Sequence, residues 1–306
     1  MTNYEKIIIS ISGTSHLLVL ALMLTLPSLI PIIKEDFNVG IDTLGFVVSV
    51  SALFFGLGAI PAGWIDRYFG KKKLLIIYQI GSSVSAIFIA FSSNFFSLVL
   101  GLSLLGLFCS IYHPTGLTLI SQRISNISKG MAIHGMFGSM GSAIGPLLAV
   151  LIAGLFSWRH SYLFLGILNG FLSIITFFLI SKRSIIVKNS ESVNKTKTNI
   201  PALMYYFITN SFLGMAYYGF TTFMPIHLST NTVEFLPEIS ENIKAGLFPT
   251  LVFVAGMIGS LIGGKIGSRF DKKLAFMAII IINIPIFFII GVTTNFTLIL
   301  FSVILG

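Results

Sequence analysis

The sequence predicts an all-α polytopic membrane protein built as two similar helical halves, the second of them incomplete. Three observations carry this. Apolar residues make up 55% of the 306-residue chain and charged residues only 9%, with a mean hydropathy of +0.96, a balance that places the chain in the membrane class and excludes a soluble domain. Uncharged windows recur at 7–33, 43–65, 74–122, 130–158, 160–181, 198–233, 245–264 and 274–306. A basic, glycine-bounded segment between two of them comes back 201 residues later. A helix needs roughly 20 apolar residues to cross about 30 Å of hydrocarbon. The windows have helical lengths without alternation, so a membrane β-barrel is excluded.

Taken in order, the windows resolve into nine complete spans and one partial span. The first, 7–33, is too long for a signal-peptide core and runs into Pro31-Ile-Ile-Lys34 without a small-residue cleavage site, so it reads as a permanent helix carrying His16. The second is 43–65. The window 74–122 is too long for one span and breaks at Ser92-Ser-Asn94, giving the third and fourth. The fourth holds Cys109 and the string Tyr112-His113-Pro114-Thr115-Gly116. The fifth opens near His134, read as a cap or anchor, and the sixth fills 160–181. A polar, basic stretch poor in aromatics then reads as a flexible linker, dividing the chain into 1–181, a linker 182–201, and 202–306. The seventh span, Tyr205 to Pro225, is the most polar, with Asn210, Ser211, Tyr217, Tyr218, Thr221 and Thr222. The eighth is 245–264. The last window splits near Thr293-Thr-Asn295 into a ninth span and a stub. Within that stub Leu298 to Gly306 aligns with Leu98 to Gly106 of the fourth helix, and the whole of 296–306 reaches only about 16 Å at 1.5 Å per residue, so the expectation is a tenth helix cut midway.

Lysine and arginine set the orientation. One side collects Lys6, Arg67, Lys71–Lys73, Arg123, Lys129, Lys182, Arg183, Lys188, Lys195, Lys197, Lys265, Arg269, Lys272 and Lys273, sixteen of the nineteen; Lys34, Arg159 and Lys244 fall on the other, with Glu35, Asp36, Asp42, Glu234, Glu238 and Glu241. The expectation is a cytoplasmic N-terminus in a cell membrane. The net charge of +9 is then a topology signal, and nucleic acid is not an expected partner. A single cysteine offers neither a disulfide framework nor a metal cluster, and no cofactor motif occurs; Cys109 reads as a small packing residue.

The recurring segment is Gly63-Trp-Ile-Asp66-Arg67-Tyr-Phe-Gly70-Lys-Lys-Lys73, with its worn copy Gly264-Lys-Ile-Gly-Ser268-Arg269-Phe-Asp271-Lys-Lys273. Gly45, Gly58 and Gly63 fall on Gly246, Gly259 and Gly264, each 201 later. A repeat of this length with the same in/out sense suggests two halves related by an axis along the membrane normal. The pattern resembles the loop motif between the second and third helices of the major facilitator superfamily, G-x-x-x-D-R-x-G followed by basic residues. The first copy departs by one residue in the position of Asp66. The second has Ser268 for the Asp and Asp271 for the Gly. The resemblance implies two six-helix halves and secondary transport by alternating access. It also implies a gate made by Gly63, Asp66, Arg67 and Gly70 with Arg269, in which the Asp locks one end of the halves to the N-terminus of an eleventh helix. The same charges would also serve merely to set topology.

Other candidates follow. Gly141-Ser-Ala-Ile-Gly145-Pro146 makes a small-residue face with a proline kink, to which the eighth helix offers Gly256, Gly259, Gly263 and Gly264 as a partner surface. It resembles the G-P motif of the superfamily's antiporters without the trailing Gly-Gly, and ordinary helix packing explains it as well. No Asp or Glu lies within a span, which leaves His113 and His16, with Tyr112, as candidates to bind substrate or a coupling proton. The bland alternative is a neutral histidine at the Pro114 kink. Tyr-His-Pro-x-Gly is similar to a branch near the fosmidomycin-resistance efflux proteins, which points to export. The resemblance places the first, fourth, seventh and tenth helices around the cavity, so Asn210 and Tyr217 are candidate solute contacts. The expected partners are a small solute, protons and lipid, in a monomer. A non-transporting sensor, scaffold or remnant on the same fold stays open, while an enzyme is excluded because no nucleophile–base pair or metal spacing occurs.

Overall fold

The computed structural model describes residues 1–180, 199–269 and 271–305. The expected linker lies outside the described residues up to 198, as do Gly306 and the side chains of Arg67 and Arg269.

The described chain is helical and contains no strand. The helices are α1 (Asn3–Phe37), α2 (Ile41–Phe69), α3 (Lys71–Ala90), α4 (Phe95–Ser110), α5 (Tyr112–Arg123), α6 (Ile127–Leu155), α7 (Trp158–Leu179), α8 (Ile200–Thr230), α9 (Glu241–Arg269), α10 (Lys272–Val292) and α11 (Asn295–Leu305). Among the described residues seven stretches are long and apolar enough to cross a membrane, one being Phe95–Arg123, which joins α4 and α5; Met277–Val292 and Asn295–Leu305 are shorter apolar helices. The expected seventh helix is longer at both ends than Tyr205–Pro225, with Pro225 inside it.

Local signals explain the ends. Thr2 and Glu5 form a capping box on α1, and Asn94 with Ser97 does the same on α4. Gly70, at φ 73°, is the single residue between α2 and α3, a left-handed position that glycine takes without strain. At the matching place in the second half, Asp271 accepts from the Leu274 amide at 2.9 Å and caps α10. The worn copy therefore exchanges a glycine turn for an N-cap.

The fourth span is broken. Pro114 has no N–H for the Ser110 carbonyl, so the helix tightens just before it: Ile111 N–H donates to Phe108 O at 3.3 Å and Ser110 Oγ to Leu107 O at 2.5 Å. The break at Ile111 starts α5 with Tyr112 and His113 in its first turn.

Among the described residues the most extensive helix contact is between α1 and α6. A Cβ on Gly138 would sit 2.3 Å from the His16 ring, one on Gly141 2.3 Å from Leu17 O, and one on Gly145 2.6 Å from Ala21 Cα. Gly141 and Gly145 of α6 thus pack against α1; of the eighth-helix glycines that the sequence offers as a partner surface, Gly263 and Gly264 lie outside the residues whose packing is described. In lipid such contact replaces hydrophobic burial as the source of helix association. Gly63 faces open space, whereas Gly58 and Gly106 provide the close approach of α2 and α4, against Ser110 and Ser51.

Buried apolar residues form two clusters, one from α1 to α7 and one from α8 to α11. At the end where α1 finishes, Asp36 accepts from Trp158 Nε1 at 2.9 Å and Arg159 Nη1 at 2.7 Å, while Arg159 Nη2 donates to Ser92 O at 3.1 Å. This clamp ties α1, α7 and the α3–α4 turn together. We call this the acidic end and the opposite one, with Lys71–Lys73, the basic end.

Candidate functional site

The two clusters meet mainly near the acidic end. A Cβ on Gly246 of α9 would sit 2.9 Å from Pro146 O, and Thr250 Oγ1 donates to Ala143 O at 2.6 Å. Gly45 of α2 lies against Phe223 of α8. Toward the basic end α8 leaves its neighbours, with Tyr205 73% and Phe212 69% exposed.

Between these contacts and the basic end lies a cavity of about 480 Å³. His16 and Leu20 line it from α1, Ser139 and Ser142 with two glycines from α6, and Tyr217, Phe220 and Thr221 from α8. Val252 and Phe253 of α9, Asn283 and Phe287 of α10 and Leu305 of α11 complete the wall. The volume suits a drug-sized molecule, and the wall is mainly apolar with a few convergent polar groups. No Asp, Glu, Lys or Arg is among these lining residues.

Tyr217 and His16 both line this cavity. Asn210 does not: it lies about 10 Å nearer the basic end at 1.5 Å per residue, exposed, with its amide turned back to Tyr206 O at 2.8 Å. The two residues share a helix face, but α8 is covered at the level of Tyr217 and bare at the level of Asn210. Asn283, a polar residue inside an apolar run, went unremarked in the sequence and lines the wall.

Behind His16 lies a cluster of rings. His16 stacks on His134 with centroids 4.1 Å apart and planes 9° from parallel, and His113 meets His16 edge-on at 5.2 Å. Phe55 of α2 closes the far side of His113 at 5.6 Å. His134, expected only to cap or anchor α6, is buried at 4% exposure. It is turned inward because it shares the packed face of α6 with Gly138, Gly141 and Gly145, at helical spacing.

Hydrogen-bond partners fix the proton positions of two rings. A carbonyl only accepts, so His16 Nδ1, 3.0 Å from His134 O, carries a hydrogen. The Tyr112 hydroxyl donates to Ser12 O, which leaves it to accept from His134 Nδ1 at 3.2 Å. In both rings Nε2 keeps a free lone pair able to take a proton or a substrate hydrogen. Two imidazolium charges about 4 Å apart repel by on the order of 4 kcal/mol even at an effective dielectric of 20.

At the basic end Asp66 pairs with Lys71 Nζ at 2.8 Å, across the Gly70 turn. Its other carboxylate oxygen, Oδ1, is buried with no hydrogen-bond partner among the described residues. The described residues contain no group of His, Cys, Asp and Glu that could hold a metal ion.

The chain as a whole is similar to known proteins. The chain is 23% identical over 264 residues to the probable sulfoacetate transporter SauU of Cupriavidus necator, covering 79% of this chain and 60% of that protein. It is 28% identical over 173 residues to the quinolone resistance protein NorB of Staphylococcus aureus, covering 56% of this chain and 36% of that one. The chain thus spans less than two thirds of the length of either relative. Among solved structures, a bacterial homolog of the human lysosomal transporter Spinster, in an inward-facing and occupied conformation, superposes with a TM-score of 0.78 at 14% identity, over 99% of this chain and 72% of that one. A peptide transporter of the POT family gives 0.64 at 13% identity, over 97% and 78%. The family model of the Major Facilitator Superfamily matches residues 11–306. The chain belongs to the major facilitator superfamily, a family of membrane transporters rather than enzymes.

Proposed function

We propose that the protein is a secondary active transporter that moves a small amphipathic solute through the cavity between its halves by alternating access, coupled to protons and directed outward. In this reading 1–181 and 202–306 are the two rocking units joined by the linker 182–201, and the monomer works alone in the cell membrane. The basic end faces the cytoplasm, as the lysine and arginine asymmetry favours. One observation carries the reading: the cavity lies between two separately packed helix clusters that touch near the acidic end and part toward the basic end. That is the shape of one half-cycle of a rocking transporter.

The wall favours an aromatic amphiphile over a small anion. Phe220, Phe253, Phe287 and Tyr217 offer ring faces, Thr221, Ser142 and Asn283 offer hydrogen bonds, and the described wall holds no Arg or Lys to clamp an anion. A quinolone, as in the relative named for quinolone resistance, fits this chemistry better than the sulfoacetate of the other. His113 and His16, with Tyr112, are the proton candidates. Asp66, whose Oδ1 has no partner among the described residues, is suited to take a helix N-terminus when the basic end closes, with Gly63, Arg67, Gly70 and Arg269 completing the gate. The test is flux in reconstituted vesicles under an imposed pH gradient, with a fluorescent quinolone and sulfoacetate as alternative solutes. Gradient-driven quinolone movement above protein-free vesicles supports the reading, and no movement of either solute overturns it.

A further inference from the structure

We propose that His16, His113 and His134 form one proton-binding site that holds a single proton in common, with His134, the deepest of the three, a full member of it. This deepens the transport reading by fixing the number of protons at the site. The geometry supplies the argument. Three imidazoles from three helices, α1, α5 and α6, lie within 5.2 Å of one another along the contacts of His16. Partners oblige His16 and His134 to carry their hydrogens on Nδ1, so both Nε2 lone pairs are free. An arriving proton adds to one of these lone pairs, nothing leaves, and the Nδ1–H bonds stay intact. Access is from the cavity, because His16 lines it while His134 is buried.

A second proton meets the first at stacking distance, 4.1 Å. No charged side chain among the described residues contacts the rings to relieve it. From α1, α5 and α6 the facing titratable groups are the histidines themselves and Tyr112; α3 brings Tyr78 against Tyr112 at 5.3 Å, and α2 brings only Phe55. Tyr217 of α8 shares the cavity with His16. Among the described residues, the hydrogen-bond and ring contacts of the three histidines include no carboxylate, lysine or arginine. Without a carboxylate to neutralise a second imidazolium, the site takes one charge and passes it between rings.

The experiment counts protons on the 306-residue chain in detergent. Uptake between pH 8 and pH 5 is compared with a variant carrying His16→Gln, His113→Gln and His134→Gln; all other groups, His160 and His227 included, are common to both and cancel in the difference. The expected difference is one proton per chain, and a difference of zero, two or three overturns the proposal. Three substitutions in a buried cluster can unfold the chain, so a second measurement uses the unsubstituted protein with ¹⁵N-labelled histidine. At pH 8 the rings of His16 and His134 are expected as the Nδ1–H form, and at pH 5 the summed protonation of the three rings is expected to reach one. A sum near zero or of two or more, or Nε2–H rings at pH 8, contradicts the proposal. Neither measurement involves flux, so a failure here is separable from a failure of the transport reading.

Discussion

Replacing Gly145 by leucine tests the α1–α6 contact on which the first half is built. An ideal Cβ at Gly145 would stand 2.6 Å from Ala21 Cα, 3.0 Å from its Cβ and 3.3 Å from its carbonyl oxygen. Carbon–carbon contacts settle at about 3.5–4.0 Å, so backbone must move by about 1 Å before the rest of the leucine is placed. Neighbouring contacts resist that shift, because Gly141 is already against the Leu17 backbone and Gly138 against His16. Overpacking of this kind costs about 1–3 kcal/mol, and the upper end applies because the obstructing atoms are backbone. Leucine returns roughly 1 kcal/mol of helix propensity, leaving about 2 kcal/mol of destabilisation and a lower Tm by on the order of 5 °C. The chain supplies its own reporter: Cys109, its only cysteine, is fully buried and reacts with a thiol probe only on unfolding. Gly154→Leu is the control, since a Cβ there meets nothing within 4 Å. The Gly145 variant should label at lower temperature and lose flux while still inserting. Equal labelling temperatures for the wild type and the Gly145 variant, or an equal fall for both substitutions, would refute the packing argument.

Other expectations follow from the same structure. Asp66→Asn removes the ion pair with Lys71 at the α2–α3 turn, an interaction of roughly 0.2–1 kcal/mol; labelling of cavity cysteines from the basic-end side should rise, and unchanged labelling would leave Asp66 a topology residue. Gly138→Ala puts a methyl where the His16 ring lies, so the pH dependence of flux should change without loss of insertion, as a pH–rate profile would reveal. His113→Gln keeps a hydrogen bond but cannot titrate; because His16 and His134 can still take the shared proton, the pH dependence of flux should shift while solute exchange continues, and an unchanged pH–rate profile would make His113 a kink partner only. Arg159→Ala removes two hydrogen bonds and the guanidinium stacked 4.3 Å over Trp158, and the Cys109 labelling temperature should fall by a few degrees.

Helix order was legible because charges punctuate the apolar windows, and the turns at Gly70 and Asn94 carry the residues their geometry requires. What the sequence could not show is depth. Asn210 and Tyr217 are seven residues apart on one helix face, but only the level of Tyr217 is covered by partner helices. His134 looked like an end-of-helix residue because Lys129 and Arg123 lie close in sequence. Its spacing of four, seven and eleven residues to Gly138, Gly141 and Gly145 is the signal that places it on the packed face. The partner of that face was also invisible, since a stripe of glycines says that a backbone comes close but not which one. Asp271 shows a motif position reused, with one kind of turn replaced by another.

The central claim is that the cavity opens alternately to the two sides, and Ser142, which lines it, is the place to measure this. With Ser142→Cys in a Cys109→Ala background, a membrane-impermeant thiol reagent is applied from each side of oriented vesicles at pH 8 and at pH 5. The account expects labelling mainly from the basic-end side in one condition and mainly from the acidic-end side in the other. Labelling confined to the same side at both pH values, or equally fast from both sides at once, would contradict it.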